Sequence, residues 1–179
     1  MVISLKTLFI IIKNIKMENR KFTVTDDLLA SKSQRILNLL IDIFIIYVIE
    51  ISIGTTIILI GDLTQSDTAS NWVTSLSVFE SFFFGLVILF FYYLITEMYF
   101  SRTFGKYFTK TMIVKHDGSR PNMKSVMIRT LSRLIPFEPF SFLTANRGWH
   151  DTLSVTYVVK KHEFLEKKKM FVPSDEIGV

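Results

Sequence analysis

The chain carries, at residues 36–60, the apolar stretch ILNLLIDIFIIYVIEISIGTTIILI. About 20 apolar residues rising ~1.5 Å each span the ~30 Å hydrocarbon core of a bilayer, so this stretch predicts a membrane-spanning helix. It nevertheless contains Asp42 and is preceded by Arg35, about two helical turns earlier, so both charges lie on one helix face together with Asn38. A carboxylate within a span costs roughly 2.5–3.5 kcal/mol on insertion scales, and Asp42 is therefore expected to have a partner or a function.

A second apolar run, residues 78–100, ends with Glu97 near its last turn. Hydrophobic residues make up 49% of the chain and the mean hydropathy is +0.37, both high for a soluble domain. The chain has no cysteine, which excludes disulfides and thiolate metal ligands. With 179 residues it is long enough for one small domain. These features predict an integral membrane protein with two spans.

The charges around the two runs predict an orientation. Lysine and arginine are frequent before the first run and after the second, whereas the connector 61–77 contains only Asp62 and Asp67 as charged residues. By the positive-inside rule, the spans form an antiparallel hairpin in the cell membrane with both termini cytoplasmic. The basic residues flank membrane spans without a recognition motif, so we expect contact with anionic lipid headgroups and no nucleic acid.

The first 30 residues are interpreted as a cytoplasmic leader. Its opening, MVISLKTLFIIIKNIK, has no small-residue cleavage site after it, which argues against a signal peptide. Two alternatives remain open. The segment forms an interfacial helix, or translation begins at Met17.

The region after the second run predicts short cytoplasmic elements. The β-branched runs 111–115 and 155–160 suggest a small two-stranded element. Residues 123–134 predict an amphipathic helix that lies in the cytoplasmic interface and is ended or kinked by the prolines that follow. A third span over 126–144, or a short re-entrant dip at 137–143, remains an alternative. The charged tail, 161–179, is expected to be mobile.

The order and spacing of these features resemble the RDD family, membrane proteins named for one arginine and two aspartates. The resemblance covers residues 31–160 and implies that the three name-giving residues are Arg35, Asp42 and Asp151. It also implies a role in the transport of unidentified ligands, with some members proposed as cation/proton antiporters. The other residues that look like family features are Arg102, Thr103, Gly105, Lys106, Arg129, Arg133 and His150.

Helix geometry adds an expectation about the charges. Asp42 lies about 10 Å deeper than Arg35, and an antiparallel second span brings Glu97 to a similar depth. We therefore expect an inner-leaflet cluster in which Arg35 and Arg102 neutralise these carboxylates, with Asn38 as an added hydrogen-bonding group. Glu50 lies deeper, has no cationic partner in the sequence and is expected to be protonated.

Each of these residues also has a structural interpretation. The cluster either pins the spans together or forms a cation or proton path. Arg129 and Arg133 contact either lipid headgroups or a substrate, Gly105 permits a turn rather than cradling phosphate, and Asp151 caps a turn or helix. No metal-ligand spacing, cofactor fingerprint or catalytic triad stands out, so we expect neither a metal, a cofactor nor an enzyme.

Three functions are compatible with this interpretation. The first is an oligomeric transporter or cation/proton exchanger that uses the cluster, since two spans cannot enclose a path. The second is a membrane anchor or assembly module that docks a partner through residues 102–160. The third and least favoured is an enzyme on lipid substrates that uses His150 and Asp151. The expected partners are the bilayer and either further copies of the chain or another membrane protein.

Overall fold

The computed structural model describes residues 22–141 and 147–171. Two long helices dominate it: α1, Lys32–Leu63, and α3, Val78–Phe100. Each begins with a capping box, in which a serine hydroxyl accepts from the backbone of the third residue and that residue's side chain bonds back to the serine amide. Both helices are long and apolar enough to cross a membrane. Within an apolar stretch of 18 residues in each helix, only 6% of the residues in α1 and 11% of those in α3 are buried. A core helix of a soluble protein would be mostly covered, so these surfaces need lipid or other helices against them.

The two long helices pack against each other with their contacts in opposite order. Tyr92, late in α3, bonds Asp42, whereas Gly85, early in α3, lies beside Glu50, slightly more than two turns further along α1. The connector holds a helix that the sequence did not predict, α2, Asp67–Ser75, which contacts the end of α1 around Gly61.

A short helix links α3 to the rest of the chain. Ser101 ends α3 in the left-handed conformation with φ 54°, and α4, Phe104–Phe108, follows directly. The Thr103 hydroxyl accepts a hydrogen bond from the Lys106 amide and so caps the first turn of α4. This reversal places α4 against α1.

Two strands confirm the predicted β element: β1, Thr111–Lys115, and β2, Thr156–Lys160. They pair antiparallel with Ile113 opposite Val158. Two strands alone are marginally stable, and this pair is covered by residues on both sides of it in the chain. The buried apolar cluster on it contains Phe22, Val24, Leu28, Met112, Val114, Val159 and Phe164.

That cluster changes the interpretation of both ends of the described chain. Residues 22–30, expected to belong to a leader, supply Phe22, Val24 and Leu28 to the core. Residues 161–169, expected to be mobile, form helix α7, Lys161–Lys169, whose Phe164 is fully buried. One aromatic side chain thus docks the first part of the charged tail on the sheet, whereas residues 172–179 of that tail lie outside the described residues. The leader's interfacial helix and the choice of start codon lie outside the described residues.

The remaining elements are short. The predicted amphipathic helix is α5, Met123–Ser132, two residues shorter than expected. A 3₁₀ turn, Glu138–Phe140, follows the first proline, and α6, Trp149–Leu153, precedes β2. Within the described part of 126–144 there is no helix of membrane-crossing length. The end of the suggested re-entrant dip falls outside the described residues.

Candidate functional site

The second name-giving aspartate is a bridge between three helices. Asp151 lies inside α6, is fully buried, and accepts from the guanidinium groups of Arg35 on α1 and Arg129 on α5. Burial alone would raise the pKa of this carboxyl, but Arg129 and Arg35 hold it well below its usual value. The predicted capping role for Asp151 was therefore wrong, since the carboxylate points to two arginines rather than to backbone amides.

Glu97 is the second anchor of the same system. Its oxygens lie 2.9 Å from Arg129 Nε, 3.0 Å from Lys106 Nζ and 3.2 Å from an Arg133 amino group. Arg129 is fully buried and joins Glu97 to Asp151. We call these six side chains the charge network: Arg35, Glu97, Lys106, Arg129, Arg133 and Asp151.

The charge network corrects the interpretation of Arg129 and Arg133. Both were expected to contact lipid headgroups or a substrate, yet both face inward to Glu97. The Arg133 guanidinium also stacks 4.0 Å above the centre of the Tyr93 ring. Arg129 in the last turn of α5 and Arg133 at its C-terminal cap, four residues apart, thus present two cations to one buried carboxylate.

Asp42 is held by neutral donors instead of the expected arginines. Its carboxylate accepts from the Tyr92 hydroxyl at 2.7 Å, the Thr103 hydroxyl at 2.7 Å and the Gly105 amide at 2.8 Å. Arg35 contacts Asp151, and Arg102 is half-exposed over the Tyr107 ring, outside the network. Helical spacing placed Arg35 and Asp42 on one face but could not reveal that a distant aspartate competes for the arginine.

Gly105 and Asn38 explain how α4 lies so close to α1. A Cβ on Gly105 would stand 2.9 Å from the Asn38 Cα, and closer still to its carbonyl oxygen. Gly105 is thus needed for close backbone approach, not for the turn that the sequence suggested. Asn38 does not bond Asp42; its amide donates to the Thr111 hydroxyl at 3.2 Å and its carbonyl accepts from Thr109.

His150 contacts the network through Asp151 and extends it to Glu138. Its ring contacts the buried Glu138 carboxylate through Nδ1 and lies 3.4 Å from Asp151 through Nε2, although adjacent residues were not expected to face each other. Burial and the neighbouring Arg133 lower the pKa of His150 to about 4, so the ring is neutral at physiological pH. Sequence reasoning missed Glu138, whose only signal was a lone acidic residue between two prolines.

A small cavity of about 30 Å³ lies between these groups, large enough for a water molecule. Four buried atoms on its walls have no hydrogen-bond partner among the described residues: Arg35 Nη2, Arg129 Nη2, Arg133 Nε and Glu138 Oε2. Three donors and one acceptor match what ordered water can satisfy. Together with Glu97 and Asp151, which lie behind the walls and pair with their basic residues, the basic and acidic side chains around the cavity are equal in number: Arg35, Lys106, Arg129 and Arg133 against Asp42, Glu97, Glu138 and Asp151.

Glu50 stands apart from this compensated system. It is half-buried in an open groove of about 360 Å³ between α1 and α3, whose walls are mainly apolar and also include Tyr47, Ser81 and Gly85. A Cβ on Gly85 would lie 3.6 Å from a Glu50 carboxylate oxygen. No hydrogen bond or ion pair joins Glu50 to another residue in the described part of the chain.

Of three comparisons with known proteins, the one with protein families agrees with the resemblance that the sequence motifs suggested. No curated protein and no solved structure matches the chain. No cluster suited to a metal ion occurs within residues 22–141 and 147–171. The model of the RDD family matches residues 29–158, which hold the charge network, Asp42 and Glu50. The match covers most of the chain, and the protein therefore belongs to the RDD family.

Proposed function

We propose that the chain is a subunit of an oligomeric membrane transporter that exchanges cations for protons along the contact between α1 and α3. The family is one of membrane proteins, and two apolar helices with largely uncovered surfaces support insertion as a two-span hairpin. The lack of Lys and Arg in the connector supports cytoplasmic termini. No catalytic role is part of this proposal.

Glu50 is the observation that carries the proposal. A carboxylate near the middle of a span is costly unless it is paired or protonated, and such residues mark ion and proton paths. Glu50 faces a groove and has no partner among the described residues, so its oxygens are available to a proton or a cation. Asp42 lies on the same helix contact. It is closer to residues 101–171, which hold the sheet and the short helices and which this proposal places in the cytoplasm as the cytoplasmic body.

The charge network has a different part in this proposal. Its carboxylates are each bonded to more than one cation, and a mobile ion would have to displace a buried arginine or lysine to reach them. Buried ion pairs of this kind fix relative position. We therefore assign the network to holding both spans against the cytoplasmic body.

Assembly follows from the number of helices. Two helices cannot enclose a path, so the groove at Glu50 needs a wall from another copy of the chain. Their exposed apolar surfaces, such as Phe82 at 65% and Phe83 at 68%, offer the area for such packing.

The test is proton flux in liposomes that contain the purified protein at matched content. Glu50→Gln keeps the shape of the side chain and removes its charge. Glu80→Gln is the matched control, because Glu80 is an exposed carboxylate at the start of α3 whose capping contact glutamine can also make. We expect cation-driven proton movement from wild type and Glu80→Gln and at least a tenfold loss in Glu50→Gln.

Two results would reject the exchanger. One is equal flux in Glu50→Gln and wild type; the other is no flux from a folded wild-type oligomer with sodium, potassium or lithium. The orientation of the chain in the membrane is checked separately. Because the chain has no cysteine, a single introduced cysteine is the only thiol that can react. Thr68→Cys in the connector should react with a membrane-impermeant maleimide on intact cells, and Glu166→Cys on α7 only after permeabilisation.

The alternative is a membrane anchor or assembly module whose cytoplasmic part docks a partner. The closed charge network favours it, because the network joins the spans and the sheet into one unit without a ligand. Stable oligomers without flux, unchanged by Glu50→Gln, would support this function over exchange.

A further inference from the structure

An apolar cavity opens where α3 ends and α4 begins. Its volume is about 440 Å³, within the range of small-molecule sites. The walls are aromatic: Phe100 from the last turn of α3 and Phe104, Tyr107 and Phe108 from α4. These rings are more than half exposed, so the cavity is an outward-facing surface, separate from the charge network and from the groove at Glu50.

Arg102 stands at the edge of this cavity. Its guanidinium lies 5.6 Å from the centre of the Tyr107 ring, and no ion pair holds it among the described residues. A cation–π contact occupies none of the N–H groups of the guanidinium in a hydrogen bond to an acceptor oxygen, so these donors can still bind an anion. The cavity thus combines an uncompensated cation with an apolar interior.

The position of the cavity along α3 suggests what fills it. Ser101 ends the helix, so the rings and Arg102 lie at the boundary between the apolar span and the polar chain. Aromatic rings and arginine at a span end lie at the headgroup level of a bilayer. A lipid phosphate is found at that depth, with its acyl chains directed along the span.

We propose that this cavity binds an anionic phospholipid, with the phosphate on Arg102 and an acyl chain against Phe100, Phe104 and Phe108. The positive charge selects an anionic headgroup, because the described residues that line the cavity include no acidic side chain and Lys110 adds exposed positive charge two residues past α4. The wall also includes Thr103, whose hydroxyl donates to Asp42, so the lipid lies one side chain away from Asp42. This site requires α3 to span the membrane but does not depend on ion exchange.

The experiment is a lipid titration of the delipidated full-length protein in detergent, followed by native mass spectrometry. The probes are phosphatidylglycerol and phosphatidylcholine with identical acyl chains. We expect wild type to bind phosphatidylglycerol more tightly, and Arg102→Gln to weaken it about fivefold, the loss that corresponds to roughly 1 kcal/mol for one basic residue. Arg120→Gln, an exposed arginine in the loop before α5, is the control and should change nothing.

A second variant tests the apolar half of the site. Phe108 is 67% exposed, so Phe108→Ala should leave the fold intact and weaken both lipids. Equal affinity of wild type for the two lipids, or equal loss in Arg102→Gln and Arg120→Gln, would overturn the proposal. Competition by inorganic phosphate, with no effect of Phe108→Ala, would overturn it in favour of a free phosphate site. Flux measurements are independent of all these outcomes.

Discussion

Removing Arg129 should collapse the joint between the two long helices and the part of the chain that holds the β-sheet. The side chain is fully buried and donates to Glu97, Asp151 and Thr156. Arg129→Met keeps the length and apolar stem of the residue but deletes the cation. Glu97 then retains two cations and Asp151 retains Arg35, but the eight charged side chains around the cavity are left with four acidic and three basic groups, one negative charge in excess.

The expected cost is large because the unpaired charge stays buried. Breaking a buried ion pair by removing one partner costs about 3–5 kcal/mol. At about 2–4 °C per kcal/mol for a chain of this size, the melting temperature should fall by roughly 6–20 °C. The control, Arg120→Met, changes an exposed arginine and should stay within about 0.5 kcal/mol of wild type.

Thermal unfolding in detergent, followed by circular dichroism, measures the shift, and hydrogen exchange of the amides in β1 and β2 shows where protection is lost. Adding Glu97→Gln to Arg129→Met restores charge balance and should recover about 0.5–3 kcal/mol of coupling. A loss below about 1 kcal/mol in Arg129→Met, or strictly additive effects in the double variant, would refute the view that compensated charge holds this joint.

Three further predictions test other parts of the structure. Gly105→Ala drives a methyl group into the backbone of α1 and should cost about 1–3 kcal/mol in thermal unfolding, whereas Gly54→Ala, where the nearest side chain is 3.8 Å away, should be neutral or stabilising. Phe164→Ala should cost about 3–5 kcal/mol and abolish hydrogen-exchange protection in α7; retained protection would show that the helix does not depend on this ring. Because the folded pKa of His150 is about 4 and the unfolded value is near 6.5, only the unfolded chain binds this proton in between. Stability should therefore fall as the pH is lowered from about 6.5 to 4, by at most about 1.4 kcal/mol per pH unit, and His150→Gln should flatten that part of the pH profile.

Local patterns predicted the elements of this fold well. The second long apolar helix was expected at residues 78–100 and is Val78–Phe100, and β1 has the predicted bounds Thr111–Lys115. Both are set by the order of residues within one segment: apolar length for the helix and β-branched side chains for the strand. The pairing of β1 with β2 was also expected, because the alternatives for two short apolar strands in one small domain are few.

Partner choice within the site was not predictable in the same way. Arg35 is separated from Asp42 by two helical turns and from Asp151 by more than half the chain, yet it pairs with Asp151. Spacing on one helix shows which residues share a face and says nothing of what another segment brings to that face. Tyr92 and Thr103, which donate to Asp42, are uncharged, so a search of the sequence for charged partners did not find them. Glu138 lies in an apolar segment that suggested contact with the membrane rather than an ion pair.

The tail shows the same limit at a smaller scale. The run KKHEFLEKKK is almost wholly charged, and one Phe within it decides its structure. A single aromatic side chain changes the average hydropathy of a ten-residue stretch little, but it buries a large surface area in the fold. Phe164 packs edge-on against Phe22, and a Cβ on Gly118, at φ 73°, would strike the same Phe22 ring.

The bonding of Asp42 changes how the family's named residues should be tested. Asp42→Asn would replace one acceptor oxygen by an amino group that faces either the Thr103 hydroxyl or the Tyr92 hydroxyl and the Gly105 amide, so it would disturb the packing of α3 and α4 on α1 whether or not ions move. Loss of flux in that variant is therefore compatible with a purely structural role. Glu50 has no such bonds in the described part of the chain, and its conversion to glutamine leaves the fold's hydrogen bonds untouched. A functional carboxylate in this protein is best sought where the structure does not already need one, and Glu50 meets that condition while Asp42 does not.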